Sequence, residues 1–97
     1  MILVTGTVHA KPETVEEVLT ISLEHVHRSR QEPGCLLHSV HRDEEDPLRV
    51  VFIEHWADIE ALHAHFRVAA SRDFAKHLGR LATDAPSMTI YEAEVTA

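Results

Sequence analysis

Histidine is the residue type in this chain most able to do chemistry, since nine of the 97 residues are histidine. Its ring titrates near neutral pH and is the most common metal ligand. A metal-binding pair on a helix needs a spacing of three or four residues, so that both rings share one face. His25 and His27, like His63 and His65, are two residues apart in predicted helices. This spacing, with no Cys-x-x-Cys or His-Glu-x-x-His motif, predicts no metal site.

Two of these histidines border predicted apolar stripes. His65 follows Leu62 by three residues, which is typical either of a core-edge histidine with a backbone partner or of a residue in a site. His25 lies near Ser22 and Ser29 on the long predicted helix. These three polar residues either line a pocket or mark where the helix meets water.

A carboxylate and the single tryptophan share a face of the third predicted strand. Glu54 and Trp56 alternate with Val50 and Phe52 on that face. A buried charge must be paired or must shift its pKa. Glu54 is therefore expected either at a wet strand end or held by a partner. Cys35 has no recognisable base motif beside it and is interpreted as a small buried filler.

The elements that position these residues follow the order β-α-β-β-α-β, with the second helix split in two. Strands are predicted over Ile2 to Ala10, Cys35 to Arg42, Arg49 to Trp56 and Met88 to Thr96. The first helix is predicted from Glu13 to Gln31, ending at Pro33-Gly34, with an inward stripe of Val15, Val18, Leu19, Leu23 and Val26. This order indicates one ferredoxin-like α+β domain over residues 1–97.

Two capping residues are predicted to open the halves of the second helix. Asp58 would cap a short helix that turns Ile59, Leu62 and Phe66 inward. Ser71 would cap a second helix that carries Phe74, Leu78 and Leu81 on one face, and Ala85-Pro86 would end it.

The third predicted strand is apolar on both faces, because Val51 and Ile53 lie opposite Val50 and Phe52. Helices can cover only one face of a sheet in this order. A partner is therefore predicted to cover the apolar residues of the other face, and the simplest partner is a second copy of the chain.

Charge and cysteine content exclude several other classes of partner and location. Nine basic and 16 acidic residues give a net charge of −7, which disfavours nucleic acid and an anionic membrane surface as partners. A single cysteine fits a reducing compartment, and the short apolar N-terminus lacks the features of a signal peptide. We expect a cytoplasmic protein.

Three short motifs, in this order and spacing, resemble the antibiotic biosynthesis monooxygenase domain, and in particular its small quinol-monooxygenase-like branch. They are E-P-G-C-L from Glu32 to Leu36, E-x-W-x-D from Glu54 to Asp58, and A-L-x-x-H from Ala61 to His65. The resemblance implies a dimeric α+β barrel. It also implies oxidation of a quinol or polyphenolic aromatic by dioxygen, with no metal, flavin or other cofactor.

The resemblance also implies roles for individual residues. His65 would handle the proton or bind the phenol, Glu54 would orient a partner, and Trp56 would form a pocket wall. Phe66 and Phe74 would add to the pocket wall, and His38 stands where the branch often has a tyrosine. His25 is a further pocket candidate on the helix pattern given above. The alternative is a purely structural role, in which Glu54 and His65 tie the third strand to the helix.

Two other functions are compatible with this fold. The first is haem binding or degradation, although the strand-one asparagine typical of such proteins has no counterpart in a chain without asparagine. The second is a dimeric module that binds a small ligand without turnover, since a fold does not fix a function.

Overall fold

A four-stranded antiparallel sheet with helices on one face forms the architecture, in a computed structural model that describes residues 1–97. The strand order is β2-β3-β1-β4, which confirms the predicted ferredoxin-like α+β topology. The elements are β1 (Ile2–His9), α1 (Val15–Ser29), β2 (Cys35–Arg42), β3 (Arg49–Trp56), α2 (Ile59–Arg67), α3 (Ala69–Leu81) and β4 (Ser87–Glu92). No helix has the length and apolar character needed to cross a bilayer.

The core lies between the sheet and the helices and is divided by polar residues. Along β3, Val50, Phe52, Glu54 and Trp56 alternate inward, as the period of a strand requires. Val50 and Phe52 belong to one apolar cluster, whereas Trp56 packs in another with Ile2, Val4 and Leu62. Glu54 therefore separates two apolar clusters, and the polar site described below surrounds it.

The split of the second helix is confirmed, but its second cap is not Ser71. Asp58 caps α2 as predicted, accepting a hydrogen bond from the Ala61 backbone N–H at 2.8 Å. The extended backbone of Val68 separates α2 from α3, so α3 begins at Ala69. Ser71 therefore lies inside α3, buried against α1, and its hydroxyl accepts a hydrogen bond from Arg28.

Two residues predicted to face inward are exposed. Leu23 is 48% exposed, because it lies one helical step of about 100° beyond Ser22, which faces the sheet. Ile59 is 36% exposed, because it is the first residue of α2 and projects past the edge of the core.

The ends of four elements differ from their predicted positions, and β1 ends at His9, one residue before the predicted Ala10. β4 ends at Glu92 and not at Thr96, because Glu92 pairs with Ile2, the first residue of β1, and only Ala93 beyond it still bonds to Met1. α1 begins at Val15, after a turn closed by the Lys11 carbonyl. α3 ends at Leu81, since Ala82 forms a bridge to Ala10.

Candidate functional site

Three buried histidines from three different elements meet between the sheet and the helices. His25 lies on α1, His38 on β2 and His65 on α2, and they are 6%, 1% and 4% exposed. Ring centroids are 5.2 Å apart for His25 and His38, 5.2 Å for His25 and His65, and 5.7 Å for His38 and His65. The spacing of histidines within single elements could not predict this cluster, because the fold supplies one ring per element.

Glu54 is held by partners inside the core, which is one of the two alternatives left open by the sequence. It is 5% exposed, and Trp56 Nε1 donates a hydrogen bond to Glu54 Oε1 at 2.9 Å. His38 lies directly across from Glu54 on β2, with 3.4 Å between its Nε2 and Oε1, a contact too poorly aligned for a hydrogen bond. Burial raises the pKa of Glu54, but His38, Trp56 and His65 outweigh it and lower the pKa overall.

Glu32 is a site residue that the sequence analysis did not single out. The turn at Pro33-Gly34 carries its side chain to α2, where Glu32 Oε1 lies 2.9 Å from His65 Nδ1. A carboxylate only accepts hydrogen bonds, so in the neutral ring of His65 Nδ1 carries the proton and Nε2 keeps its lone pair. In the sequence, only the position of Glu32 at the start of the E-P-G-C-L motif indicated that it could belong to the site.

His25 is held in the neutral state with the opposite tautomer. The Arg28 guanidinium donates a hydrogen bond to His25 Nδ1 at 2.7 Å, which leaves the ring proton on Nε2. Burial, followed by charge repulsion from His38, His65 and Arg28, lowers the pKa of His25 from 6.5 to about 2. The ring stacks on Phe74 at a centroid distance of 4.0 Å. His25 Nε2 is therefore available as a hydrogen-bond donor, and His65 Nε2 as a hydrogen-bond acceptor.

A cavity of about 360 Å³ opens beside this cluster. His25, Glu54 and His65 are its polar members on the histidine side, and Phe52, Phe66, Phe74, Leu78 and Met88 are its principal apolar members. Its size and aromatic lining suit a flat aromatic ligand.

Two of the predicted pocket residues lie behind the cavity wall. Trp56 is fully buried in the apolar cluster with Leu62, with its ring 4.7 Å from that of His65. His38 is also buried and does not line the cavity. Both contact the site from behind, because β2 and β3 point these residues into the core beneath the rings of His25 and His65.

The fold and the site define a ferredoxin-like protein with a histidine-bordered aromatic cavity between sheet and helices. The family model for antibiotic biosynthesis monooxygenase matches residues 1–77. The chain belongs to the antibiotic biosynthesis monooxygenase family, as its motifs predict.

Solved structures support this assignment. A Deinococcus radiodurans protein, described as a candidate antibiotic biosynthesis monooxygenase, is 30% identical to this chain, with a TM-score of 0.95. The match covers 100% of this chain and 96% of the Deinococcus chain. A second structure, of an antibiotic biosynthesis monooxygenase, is 29% identical with a TM-score of 0.90. This match covers 98% of this chain and 100% of the other chain.

A longer relative is also similar to this chain. An uncharacterized protein from Synechocystis sp. is 30% identical over 95 residues, or 98% of this chain. This chain spans 65% of the length of that protein.

Proposed function

We propose that this protein is a monooxygenase that oxidises a phenolic or quinol-type aromatic with dioxygen. The observation that carries the proposal is that two histidines on one cavity are held in opposite tautomers. His65 Nε2 is an acceptor because Glu32 holds its Nδ1 proton, and His25 Nε2 is a donor because Arg28 occupies its Nδ1.

This pair suits the removal of a proton from a phenol. His65 accepts the phenolic proton, and the resulting imidazolium is stabilised by Glu32. His25 donates a hydrogen bond to the phenolate oxygen that forms. Since burial and the charges of neighbouring residues lower the pKa of His25 to about 2, it stays neutral and keeps its Nε2 proton throughout the physiological pH range.

The electron-rich phenolate then reacts with dioxygen. For a hydroquinone, one oxygen atom enters the ring to give a hydroxyquinone, and the other leaves as water. The substrate supplies all four electrons, two from the quinol-to-quinone change and two from the hydroxylated carbon. The apolar lining from Phe52, Phe66 and Phe74 would keep bulk water from the anion.

Oxygen consumption with a panel of hydroquinones and polyphenols tests the proposal. We expect the wild-type protein to consume one dioxygen per substrate, and His65→Gln to lose about 100-fold or more in kcat/KM, the usual contribution of a positioned base. His63→Gln is the matched control, because His63 lies two residues away on the same helix and is exposed. No uptake by the wild-type protein above that of His65→Gln would refute the proposal. Saturable binding of an aromatic without uptake would instead support the ligand-binding alternative.

A further inference from the structure

The cluster formed by His25, His38 and His65 has a property that the proposed proton transfer does not use. One ring nitrogen from each residue lies within 4.8 Å of the other two. These rings come from a helix, a strand and a second helix, and all three are buried. Imidazole nitrogens converging from separate elements are the ligand type that zinc, copper, nickel and iron prefer.

His38 provides an independent observation that points to a ligand. Its side chain is fully buried, and neither ring nitrogen makes a hydrogen bond within the chain. Nε2 has only the poorly aligned 3.4 Å contact with Glu54 Oε1. A buried polar atom that is left unpaired destabilises the fold, because it has lost its hydrogen bonds to water. Because the ring of His38 lies against those of His25 and His65, its lone pair is available to a ligand shared with them.

The residues behind the rings resemble the outer shell of a metal centre. Metal-binding histidines commonly donate their second ring N–H to a carboxylate, which fixes the tautomer and makes the free nitrogen more basic. Glu32 makes this contact with His65 at 2.9 Å. Glu54 places a second carboxylate 3.4 Å from His38. Both carboxylates would also offset the charge of a cation.

We propose that His25, His38 and His65 bind one divalent transition-metal ion. Three protein ligands leave a coordination position free, which is the arrangement found in catalytic rather than structural sites. His25 and His65 both line the cavity, so the free position would face the space proposed for the substrate. Such an ion would be a departure from the metal-free chemistry implied by the family resemblance.

Binding requires two local adjustments. Nitrogens around a tetrahedral ion with bonds of about 2.1 Å are about 3.4 Å apart, so the rings must close in from 4.8 Å. The ring proton of His25 must also move from Nε2 to Nδ1, or the ring must turn Nδ1 towards the ion, and either change ends the hydrogen bond from Arg28. Arg28 keeps the Ser71 hydroxyl as an acceptor at 3.0 Å in either case.

Titration of the EDTA-treated protein with Co²⁺ and Zn²⁺ tests the proposal. We expect one ion per chain, with visible Co²⁺ absorption bands that Zn²⁺ abolishes. His25→Gln, His38→Gln and His65→Gln should each weaken binding at least about tenfold. Their controls are His27→Gln, His41→Gln and His63→Gln, which change exposed histidines on the same three elements. Equal losses in the two sets would assign the binding to surface histidines and overturn the proposal.

A measurement on the unmodified protein covers the case in which a variant does not fold. Long-range ¹H–¹⁵N spectra resolve the ring nitrogens of individual histidines. One equivalent of Zn²⁺ should shift the nitrogens of His25, His38 and His65 and leave those of His27, His41 and His63 in place. Shifts confined to the exposed rings, or no shift, would overturn the proposal. Neither experiment depends on turnover, so failure of the metal site can be distinguished from failure of the proposed monooxygenase activity. Because the lone pair of His65 Nε2 cannot bind an ion and accept a phenolic proton at once, the two proposals describe alternative states of the site.

Discussion

The hydrogen bond between Glu32 and His65 determines which nitrogen of His65 can accept a proton. Replacing Glu32 by Gln keeps an oxygen that can accept from Nδ1 but removes the negative charge that stabilises the imidazolium. We expect Glu32→Gln to lower kcat for quinol oxidation by about 10–100-fold, the usual range for a residue that orients a functional histidine. KM should stay unchanged, because Glu32 is absent from the cavity lining.

Oxygen-uptake kinetics separate this positioning role from a general loss of structure. Glu24→Gln is the control, since Glu24 is exposed on α1. A rise in KM with kcat preserved would show that Glu32 acts on substrate binding and would contradict the assigned role.

The single thiol is also affected by its surroundings. Burial, followed by the Glu32 and Glu54 carboxylates, raises the pKa of Cys35. Because the thiolate is the reactive form, we expect iodoacetamide to alkylate Cys35 at mildly alkaline pH more slowly than it alkylates a free cysteine. The Glu32→Gln variant should react faster than the wild type, since one of the two carboxylates is neutralised. Mass spectrometry over time measures both rates, and equal rates for wild-type protein and free cysteine would contradict the expectation.

At the scale of elements, the turn between α1 and β2 joins the site to the fold. Gly34 has a φ of +82°, and a Cβ built there would lie 2.6 Å from the Cβ of Ala61 on α2. We expect Gly34→Ala to lower the free energy of unfolding by about 2 kcal/mol or more, because left-handed backbone alone costs a residue with a side chain about 1–2 kcal/mol.

The chain offers a matched control for this substitution. Gly79 lies in α3, with nothing within 4 Å of a Cβ placed there. Gly79→Ala should raise the free energy of unfolding by about 0.5–1 kcal/mol, because alanine loses less backbone freedom in a helix. Chemical denaturation of both variants measures the two effects, and a loss of less than 0.5 kcal/mol in Gly34→Ala would show that α2 adjusts readily.

Local patterns predicted most elements because each pattern is set by neighbouring residues. The bounds of β2 and β3 were predicted correctly from the apolar run Val50 to Ile53 in β3 and the acidic loop between the two strands. The Asp58 cap was also correct, since a cap bonds only three residues away. Ser71 was misjudged because its partner, Arg28, lies on another helix, and no local pattern encodes that contact.

The site was predictable only in part for the same reason. The family motifs pointed to Glu54 and His65, and the helical stripe pointed to His25. By contrast, the pairing of His38 with Glu54 depends on the register of β2 against β3. The Glu32–His65 hydrogen bond depends on how α2 packs against the turn. Spacing within an element could therefore exclude a metal pair on one helix, but not a cluster built from three elements.

At the scale of the whole molecule, the sheet has one face that no helix covers. The strand registers place five apolar side chains on it: Leu3, Leu37, Val51, Ile53 and Tyr91. Leu37 and Tyr91 are 39% and 46% exposed. All three helices pack on the opposite face, as the βαββαβ order requires. This face supports the predicted homodimer, which stays a proposal.

A substitution at the centre of this face tests the homodimer. We expect Ile53→Glu to weaken self-association by about 3 kcal/mol or more, the order of cost of a buried charge without a partner. Leu23→Glu introduces the same charge at a residue that is 48% exposed on α1, outside the sheet face, and should leave association unchanged. Sedimentation across a dilution series measures the mass of each form, since dimer formation depends on protein concentration. A wild-type protein that stays monomeric throughout the series would refute the homodimer, and an equal effect of both variants would place the interface elsewhere.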